Sequence, residues 1–574
     1  MNRGLLNSIG VWLLLLAACS APAAPTTLGG SSQDGVLRPS RTLVFAVGNE
    51  PEVLTAATGI SGSIAAPIRL FNAGVALKDD RGVAIPYLAE ALPQLNTDSW
   101  KVFPDGRMET TYRLKPGLTW HDGRPLSADE FVFAWQVLST PAFGLSGRSP
   151  LNQMEEVLAQ DERTVVIRWI RPFPDAETLM TGGDFDFTPL PRHLLEGAFD
   201  KDRPEQFPIH PYWTREYVGL GPYRLERWEP GVFIEAAAFA GHTLGQPRID
   251  RIRLVFINDS NTAVSSLLAN EAHVTDETVL NFAQGMFLRG EWSARNAGNV
   301  LLVVNNLNYL GIQMRPDGAN PRGLLDARVR RAVAHAINKE ELNEGLFEGL
   351  GLTAESLIPP QVDYFPMIER SITRYSYDPR RTEQLMMEAG YTRGSDGIFT
   401  RPGDGRFDAE VRYSDRGGGE YTKGAPLMLQ TWQRAGLDAH IFAYPSNFQR
   451  DGQYRSGYPA LDYTAGGIDE SNILHSLSSG FIPKAETRWT GQNRGGWSDA
   501  AYDRLVDTYD TTLDAGLRKQ QIAEMMRIVS EQVPWIPLYF NLRVIAHTSA
   551  LSGPKAGAPG GTRVYNVHEW ELRG

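Results

Sequence analysis

Cysteine is almost absent from this chain, since Cys19 is the only one among 574 residues. Disulfides, thiolate metal sites and cysteine nucleophiles are therefore excluded beyond that position, and the fold must be stabilised by its apolar core. A membrane-spanning run is missing near the N-terminus, because Val11–Ala18 is far shorter than the roughly 20 apolar residues that a bilayer requires.

Positive charge is in deficit, with 56 Lys and Arg against 67 Asp and Glu and a formal net charge of -11. Nucleic acids and anionic lipid surfaces select basic patches, so this balance argues against both as partners. The 42% hydrophobic and 21% charged residues are typical of an ordinary soluble globular protein, and the length predicts at least two domains.

Common catalytic motifs are also absent. The chain contains no G-x-S-x-G, no H-E-x-x-H and no G-x-x-x-x-G-K-[ST] sequence. Two carboxylates are enough for glycoside hydrolysis, so these absences alone leave a glycosidase open.

The N-terminus carries an export signal: one basic residue, Arg3, an apolar run and small residues up to Leu16-Ala17-Ala18-Cys19. This end resembles the lipobox of bacterial lipoproteins. The resemblance implies that residues 1–18 are removed and that Cys19 is acylated and anchored in a membrane. Residues 19–40 are rich in Ala, Pro, Ser, Thr and Gly, which predicts a flexible tether with a reach of roughly 25 Å.

Helical and strand patterns alternate from Arg41 onwards, which favours an α/β fold. The run TLVFAV after Arg41 predicts a central strand, and further strands are predicted at 164–169, 252–257 and in the WIPLYF segment. Capping patterns predict helices that begin at Ser127 (with Glu130), Asp326, Asn338 (with Glu341) and Asp514.

Four separated segments resemble the extracytoplasmic solute-binding proteins of ABC importers, in the dipeptide/oligopeptide/nickel-binding family. They are Pro86–Pro93 (PYLAEALP) with the following stretch to Trp135, Gly221–Gly231 (GPYRLERWEPG), Leu325–Glu340 (LDARVRRAVAHAINKE), and Gly496–Asp503 (GWSDAAYD) with Pro534–Phe540 (PWIPLYF). They cover nearly the whole chain after the tether, in the family's order.

The resemblance implies two α/β lobes joined by a two-strand hinge, as in periplasmic binding proteins of the large type II variant. Lobe I would comprise residues 41–302 plus 541–574, with an inserted subdomain at about 77–210. Lobe II would comprise residues 303–540. The two crossings would lie near Val303–Leu307 and Leu538–Leu542.

The function implied by the resemblance is transport rather than catalysis. A monomeric, lipid-anchored receptor on the outer side of the cell membrane would enclose a solute, most simply an oligopeptide, and deliver it to an ABC permease. No cofactor, metal or nucleic acid is implied. Two alternatives stay open: a receptor of the same fold for an oligosaccharide or another solute, and a surface sensor without an import role.

The resemblance also implies a set of ligand-binding residues: Gly59, Ile60, Asp276, Tyr444, Tyr463, Gly466, Gly467, Asp469 and Glu470. Peptide-binding members place an aspartate, which pairs with the ligand's α-amino group, where this chain has Gly467. A buried ammonium without a counter-charge is costly, so Asp276, Asp469 or Glu470 would have to replace it. Thr464 stands where a tryptophan is common, and this small polar segment would equally suit a neutral oligosaccharide.

Other conspicuous residues receive structural interpretations. The Asp-Gly after His121 predicts a turn rather than a ligand site. Tyr223 and Trp497 are expected in the core, and the arginines at 328, 330 and 331 are expected on a solvated helix face.

Overall fold

Helices and strands alternate along the residues that the computed structural model describes, which are 41–55, 65–141, 149–179, 187–200, 206–415, 418–559 and 563–573. The predicted signal and tether, with Cys19, lie outside the described residues. Gly59 and Ile60 also lie outside them, so their predicted contacts with a ligand stay predictions.

The strands of the described residues are β1 Thr42–Val47, β2 Ala76–Lys78, β3 Ala84–Pro86, β4 Trp100–Val102, β5 Met108–Arg113, β6 Met154–Asp161, β7 Thr164–Trp169, β8 Tyr223–Glu229, β9 Phe233–Ala238, β10 Arg251–Phe256, β11 Val274–Thr275, β12 Gly298–Ile312, β13 Leu352–Thr353, β14 Thr392–Arg393, β15 Phe399–Arg401, β16 Gly405–Arg406, β17 Asp408–Ser414, β18 Asp438–Tyr444, β19 Leu461–Gly467, β20 Trp535–Thr548, β21 Leu551–Ser552 and β22 Glu571–Leu572.

The α-helices of the described residues are α1 Ala65–Phe71, α2 Asp129–Leu138, α3 Arg192–Leu195, α4 Ser260–Leu268, α5 Phe282–Ser293, α6 Ala327–His335, α7 Lys339–Phe347, α8 Phe365–Ser371, α9 Pro379–Glu388, α10 Gly418–Arg434, α11 Gly452–Ser456, α12 Glu470–His475, α13 Ala500–Tyr509 and α14 Ala515–Gln532. Within that part of the chain, no helix combines the length and the apolar character needed to cross a membrane.

One mixed sheet joins most of the molecule, in the order β18-β17-β19-β12-β20-β11-β1-β10-β9-β8, with β13 also paired to β20. β1 lies between β11 and β10 and is parallel to both, and its apolar side chains are buried. The central strand predicted from TLVFAV is therefore confirmed. A separate antiparallel sheet, β4-β5-β7-β6, packs with α2 in the region of the predicted inserted subdomain.

Two long antiparallel strands, β12 and β20, run through the middle of the large sheet. Their register is regular from Gly298↔Thr548 to Val304↔Leu542, shifts, and resumes at Leu307↔Phe540. A bulge bends the strands that carry it. This register shift falls at the crossings expected near Val303–Leu307 and Leu538–Leu542, although the lobe boundaries themselves stay predictions.

Several apolar cores lie around this shift. The first core packs around β1, β8, β9, β10 and the smaller sheet. Two others cover opposite faces of the β12-β19-β20 region, one beneath α6, α7, α9 and α10, the other beneath α8, α12, α13 and α14. A sheet covered by helices on both faces is typical of an α/β fold.

Most predicted helix starts are confirmed by side-chain caps. Asp326, Asn338 and Asp514 each accept a hydrogen bond from a backbone N–H in the first turn of α6, α7 and α14. The start at Ser127 is displaced, because α2 begins at Asp129. Only half of the predicted capping box forms there: Glu130 Oε2 accepts from the Ser127 backbone N–H at 2.8 Å.

The prediction for the arginine cluster is wrong in part. Arg328 is exposed as expected, but Arg330 is only 2% exposed. Its guanidinium donates to the carbonyl oxygens of Leu324, Leu325 and Gln532. Arg331 donates to the Glu531 carbonyl, so both side chains satisfy backbone acceptors instead of facing solvent.

The other structural expectations are confirmed. His121 is buried in a turn, where its Nδ1 accepts from the Gly219 N–H at 3.1 Å and its Nε2 contacts the Gly221 carbonyl at 3.0 Å. Tyr223 begins β8 with its ring fully buried, and Trp497 packs edge-on against Tyr502 in the core.

Candidate functional site

The carboxyl ends of parallel strands from both halves of the large sheet point towards the register shift. On one side, β1 and β11 are parallel, and β11 runs antiparallel to β20. On the other side, β17, β18 and β19 are parallel, and β19 runs antiparallel to β12, ending at Gly467 opposite Asn306. Ligands of α/β proteins bind outside the carboxyl ends of such strands, so the candidate site lies here.

Asp276 is the first residue after β11 and is 6% exposed. Its carboxylate accepts hydrogen bonds from the Thr278 N–H at 2.9 Å and from Thr278 Oγ1 at 2.7 Å. Burial raises the pKa of Asp276 to about 6, against the opposing effect of the Thr278 hydrogen bonds. The neighbouring Glu277 pairs with Arg563, which also donates to the Val304 carbonyl at the register shift.

Gly466 and Gly467 end β19 at this edge. A Cβ on Gly466 would lie 3.3 Å from the Tyr309 ring, so a larger residue would force that ring to move. Gly467 is exposed, and a Cβ added there would have Asn472 Nδ2 as its nearest neighbour, at 3.9 Å. The position therefore has room for a side chain, and nothing in the backbone requires glycine there.

Asp469 caps α12, where its side chain accepts from the Asn472 N–H at 3.0 Å. Burial raises the pKa of Asp469 to about 6, while the charge of Lys78 lowers it and that of Asp175 raises it. Lys78 and Asp175 belong to predicted lobe I, so the Asp469 carboxylate interacts electrostatically with groups of the other predicted lobe.

Glu470 is held inside its own half of the molecule. Its carboxylate accepts from the hydroxyls of Tyr364 and Tyr509, the latter at 2.5 Å. Each carboxylate oxygen thus already accepts one tyrosine hydroxyl. Glu470 therefore positions the segment beside Asp469 and is poorly placed to bind a ligand itself.

The two predicted tyrosines differ in placement. Tyr444 is the last residue of β18, at the carboxyl-end edge, and its ring packs against Tyr454. Tyr463 lies in the middle of β19 with its ring edge-on to Tyr421 and its hydroxyl 2.6 Å from that of Tyr539. Both rings are buried, at 2% and 1% exposed, but Tyr444 lies at the carboxyl end of its strand whereas Tyr463 lies within the core.

One edge of β19 is open next to this site. β19 pairs with β17 only at Leu461 and Asp462, whereas its other side pairs with β12 as far as Gly467. In the part of the chain that the structure describes, no strand pairs with Tyr463–Gly467 on the β17 side. Along that stretch the β19 backbone has no strand partner among the described residues, and unpaired strand edges are where extended peptides add.

A buried carboxylate that sequence reasoning missed lies on the same strand. Asp462 is 4% exposed, and no hydrogen bond or ion pair joins its carboxylate to the described residues. Burial raises its pKa, and the charges of Arg455, Arg494 and Arg412 oppose that rise. Arg412 is itself paired with Glu410 at 3.0 Å, which leaves Arg455 and Arg494 as the cations facing Asp462.

These two arginines have incomplete hydrogen bonding. Arg455 Nη2 donates to Thr464 Oγ1 at 3.3 Å, but its buried Nε has no partner among the described residues. Arg494 donates to Gln492, and burial together with the charge of Arg455 lowers its pKa. Unpaired buried charges are costly, and sites of this kind are where ligands supply the missing partner.

Strand alternation could have identified Asp462, because it lies on the same face of β19 as Thr464 and Gly466. Nothing local could have identified Arg455 and Arg494. They come from α11 and from a loop before α13, and only the tertiary fold brings them to one carboxylate. Among the described residues, no group of three or more His, Asp or Glu side chains could hold a metal ion.

Comparison with known proteins agrees with this architecture. The model of bacterial extracellular solute-binding proteins, family 5 (middle region), matches residues 90–481. The dipeptide-binding protein of Escherichia coli K12 is 24% identical over 535 residues, which cover 89% of this chain and 90% of that protein.

Solved structures show the same fold. The oligopeptide-binding protein of Thermus thermophilus, complexed with a pentapeptide, superposes with a TM-score of 0.69 at 22% identity, covering 92% of this chain and 96% of that one. NikZ of Campylobacter jejuni, in complex with Ni(L-His), superposes with a TM-score of 0.70 at 21% identity. The match covers 93% of this chain and 100% of that one. The predicted two-lobe α/β fold is thereby confirmed. The chain belongs to the bacterial extracellular solute-binding proteins of family 5, which bind solutes outside the cytoplasm and are not enzymes.

Proposed function

We propose that this protein is the lipid-anchored substrate-binding component of an ABC importer, that it encloses a peptide-like solute between two lobes, and that it delivers the solute to a membrane permease. Lobe I comprises residues 41–302 plus 541–574, with the subdomain 77–210 inserted, and lobe II comprises 303–540. Support comes from the position of the register shift between β12 and β20, which lies at the two expected crossings.

The observation that carries the peptide-like class is the open edge of β19 beside unpaired Asp462, Arg455 and Arg494. An extended peptide adds to a strand edge through its main-chain N–H and C=O groups. A polar or charged group of the bound ligand can then contact this cluster and supply the partners that its side chains lack.

Closure couples binding to transport. A ligand that touches both lobes only in the closed state shifts the population towards that state. Hinge bending between two lobes is the established repertoire for such receptors, and the bulge at Val304/Leu307 supplies the place where the strands bend. The permease then recognises closure as the loaded signal.

Anchoring rests on Cys19. Acyl chains on this cysteine hold the protein on the membrane, while the tether 19–40 leaves the lobes free to move. Cys19→Ser should release the protein into the soluble extracytoplasmic fraction and abolish incorporation of an alkynyl palmitate label. Membrane retention of this variant would overturn the anchor.

The deciding experiment is mass spectrometry of small molecules released when the purified protein is denatured. Recovered di- to oligopeptides, together with a thermal shift on adding them back, are the expected result. A recovered oligosaccharide would contradict the peptide-like ligand class but would leave the receptor function intact. Binding to a signalling partner without any permease contact would favour a surface sensor instead.

A further inference from the structure

A contact between the two proposed lobes lies apart from the hinge. It joins the segment after β7, in the inserted subdomain of lobe I, to residues 510–518 of lobe II, here named the latch segment. The latch segment links α13 to α14 and includes the first residues of α14.

Two ion pairs bridge this contact. Arg518 Nη1 lies 3.5 Å from Asp175 Oδ1, and Arg171 Nη2 lies 3.8 Å from Asp510 Oδ2. In each pair one residue comes from each proposed lobe. Leu513, between them in sequence, packs against the apolar core of lobe I. Charge and apolar contacts thus converge on one segment.

The two charged residues of lobe II, Asp510 and Arg518, are also fixed by contacts within lobe II. His475 Nε2 lies 3.0 Å from Asp510 Oδ2, and its Nδ1 lies 2.6 Å from the Ser471 carbonyl. The Arg518 guanidinium stacks over the Tyr509 ring, 4.2 Å from its centroid, and the Tyr509 hydroxyl donates to Glu470. The latch segment is therefore connected to Glu470, next to Asp469 at the cleft.

We propose that the pairs Asp175–Arg518 and Arg171–Asp510, with Leu513, form a latch that holds the lobes together beside Asp469. The latch sets the balance between open and closed forms, and hence the time for which a ligand stays bound. This inference rests on the proposed two-lobe function. Each pair joins one largely exposed and one largely buried side chain, and such partly exposed pairs contribute little individually, so the latch biases closure and still permits opening.

The test measures lobe separation without any ligand. Lys101→Cys in lobe I and Met387→Cys in lobe II are labelled with donor and acceptor dyes in the full chain carrying Cys19→Ser, and single-molecule FRET reports the two populations. Asp175→Asn and Asp510→Asn should each raise the open-to-closed ratio about two- to fivefold, the range for exposed pairs. Leu513→Ser should also raise it.

The matched control is Glu369→Gln, which removes a carboxylate from an ion pair with Arg374 that lies wholly within lobe II. It should leave the ratio unchanged. In the protein without latch substitutions, raising NaCl to about 1 M should open the lobes because salt screens the charges of the ion pairs. That salt response should disappear in the Asp175→Asn/Asp510→Asn double variant.

A FRET distribution that neither salt nor these substitutions change would overturn the latch. Failure of the proposed function gives a different result: salt-dependent opening would persist, but peptides would not shift the populations towards the closed form. Peptide-driven closure with the same rate of ligand release in the double variant would overturn the latch and leave the proposed function intact.

Discussion

Arg330 lies against the C-terminus of α14, where its Nε donates a hydrogen bond to the carbonyl oxygen of Gln532 at 2.8 Å. The same guanidinium also donates to Leu324 and Leu325, so one buried side chain joins α6 to the end of α14. The last carbonyls of a helix lack intrahelical partners and carry partial negative charge, which makes a cation there favourable.

Arg330→Met should therefore destabilise the protein, because several buried carbonyl groups lose their donors. The expected loss is about 2–4 kcal/mol in the free energy of unfolding, measured by urea denaturation. Arg328→Met is the control on the same helix, since Arg328 is exposed and pairs only near the surface. Equal losses in both variants would contradict the role assigned to Arg330.

Acid should destabilise the fold through His121. Burial lowers its pKa to about 4, whereas an unfolded histidine titrates near 6.5. Between these values the unfolded state binds more protons, so stability is complete above about pH 6.5 and falls as the pH drops towards 4. The slope attributable to His121 reaches about 1.4 kcal/mol per pH unit.

Urea denaturation between pH 4.5 and 7.5 checks this expectation. His121→Gln should flatten the slope, because glutamine can hydrogen-bond without titrating. His242 is buried with the same direction of shift, so part of the slope should remain after the substitution. An unaltered slope in His121→Gln would contradict the assignment.

Asp276 should make ligand binding dependent on pH. Its pKa lies at about 6, so its carboxylate loses its proton as the pH rises through that value and can then attract a cationic ligand group. Affinity for trialanine should fall by up to about tenfold per pH unit below 6. Calorimetric titrations from pH 5 to 8 measure how this affinity depends on pH.

Asp276→Asn keeps the acceptor for Thr278 and removes the charge. It should weaken binding at pH 8 and flatten the pH profile, with an unchanged far-UV spectrum. Glu271→Gln, an exposed carboxylate in the same lobe, is the control. Unchanged affinity in Asp276→Asn would show that Asp276 does not bind the ligand.

Gly467→Asp should increase affinity for peptides with a free α-amino group. The position is exposed with room for a Cβ, and a carboxylate there would add a counter-charge for an α-amino group at this end of β19. We expect a gain of about tenfold for trialanine over N-acetyl-trialanine, the size of one charge-assisted hydrogen bond. Gly480→Asp, at an unobstructed position off the strand edge, should give no such preference.

Glu470 provides a contrasting expectation, since it accepts from two tyrosine hydroxyls. Glu470→Gln should lower the unfolding midpoint by removing charge-assisted hydrogen bonds worth about 1.5–3 kcal/mol. Trialanine affinity measured well below the unfolding temperature should change little. A large loss of affinity without loss of stability would show that Glu470 does contribute to ligand binding.

Local signals were sufficient for much of the secondary structure. Asp326 and Asn338 cap helices because a short polar side chain reaches the first free N–H groups of its own helix, an interaction within a few residues. β1 was predictable because a strand buried on both faces is a continuous apolar run. Asp276 and Gly467 were named through the resemblance to the family, and the structure places them at the carboxyl ends of β11 and β19.

Side-chain environments were less predictable. Tyr463 was expected at the ligand, but strand alternation and the helix α10 above it bury the ring. Arg330 was expected in solvent, yet α14, far along the chain, places its C-terminus against it. Both outcomes depend on elements that are distant in sequence, which no local pattern reports.

By itself, the sequence determined the α/β class, the absence of disulfides, several strand and helix positions, and the resemblance to a two-lobe receptor. These depend on periodicity, capping and composition, which act over a few residues. Only the tertiary structure decided that Asp462 faces Arg455 and Arg494 without a direct partner, that Glu470 is bound by two tyrosines, and that Asp175 meets Arg518. Charges interact through space, so their pairing depends on how the lobes pack and not on their order along the chain.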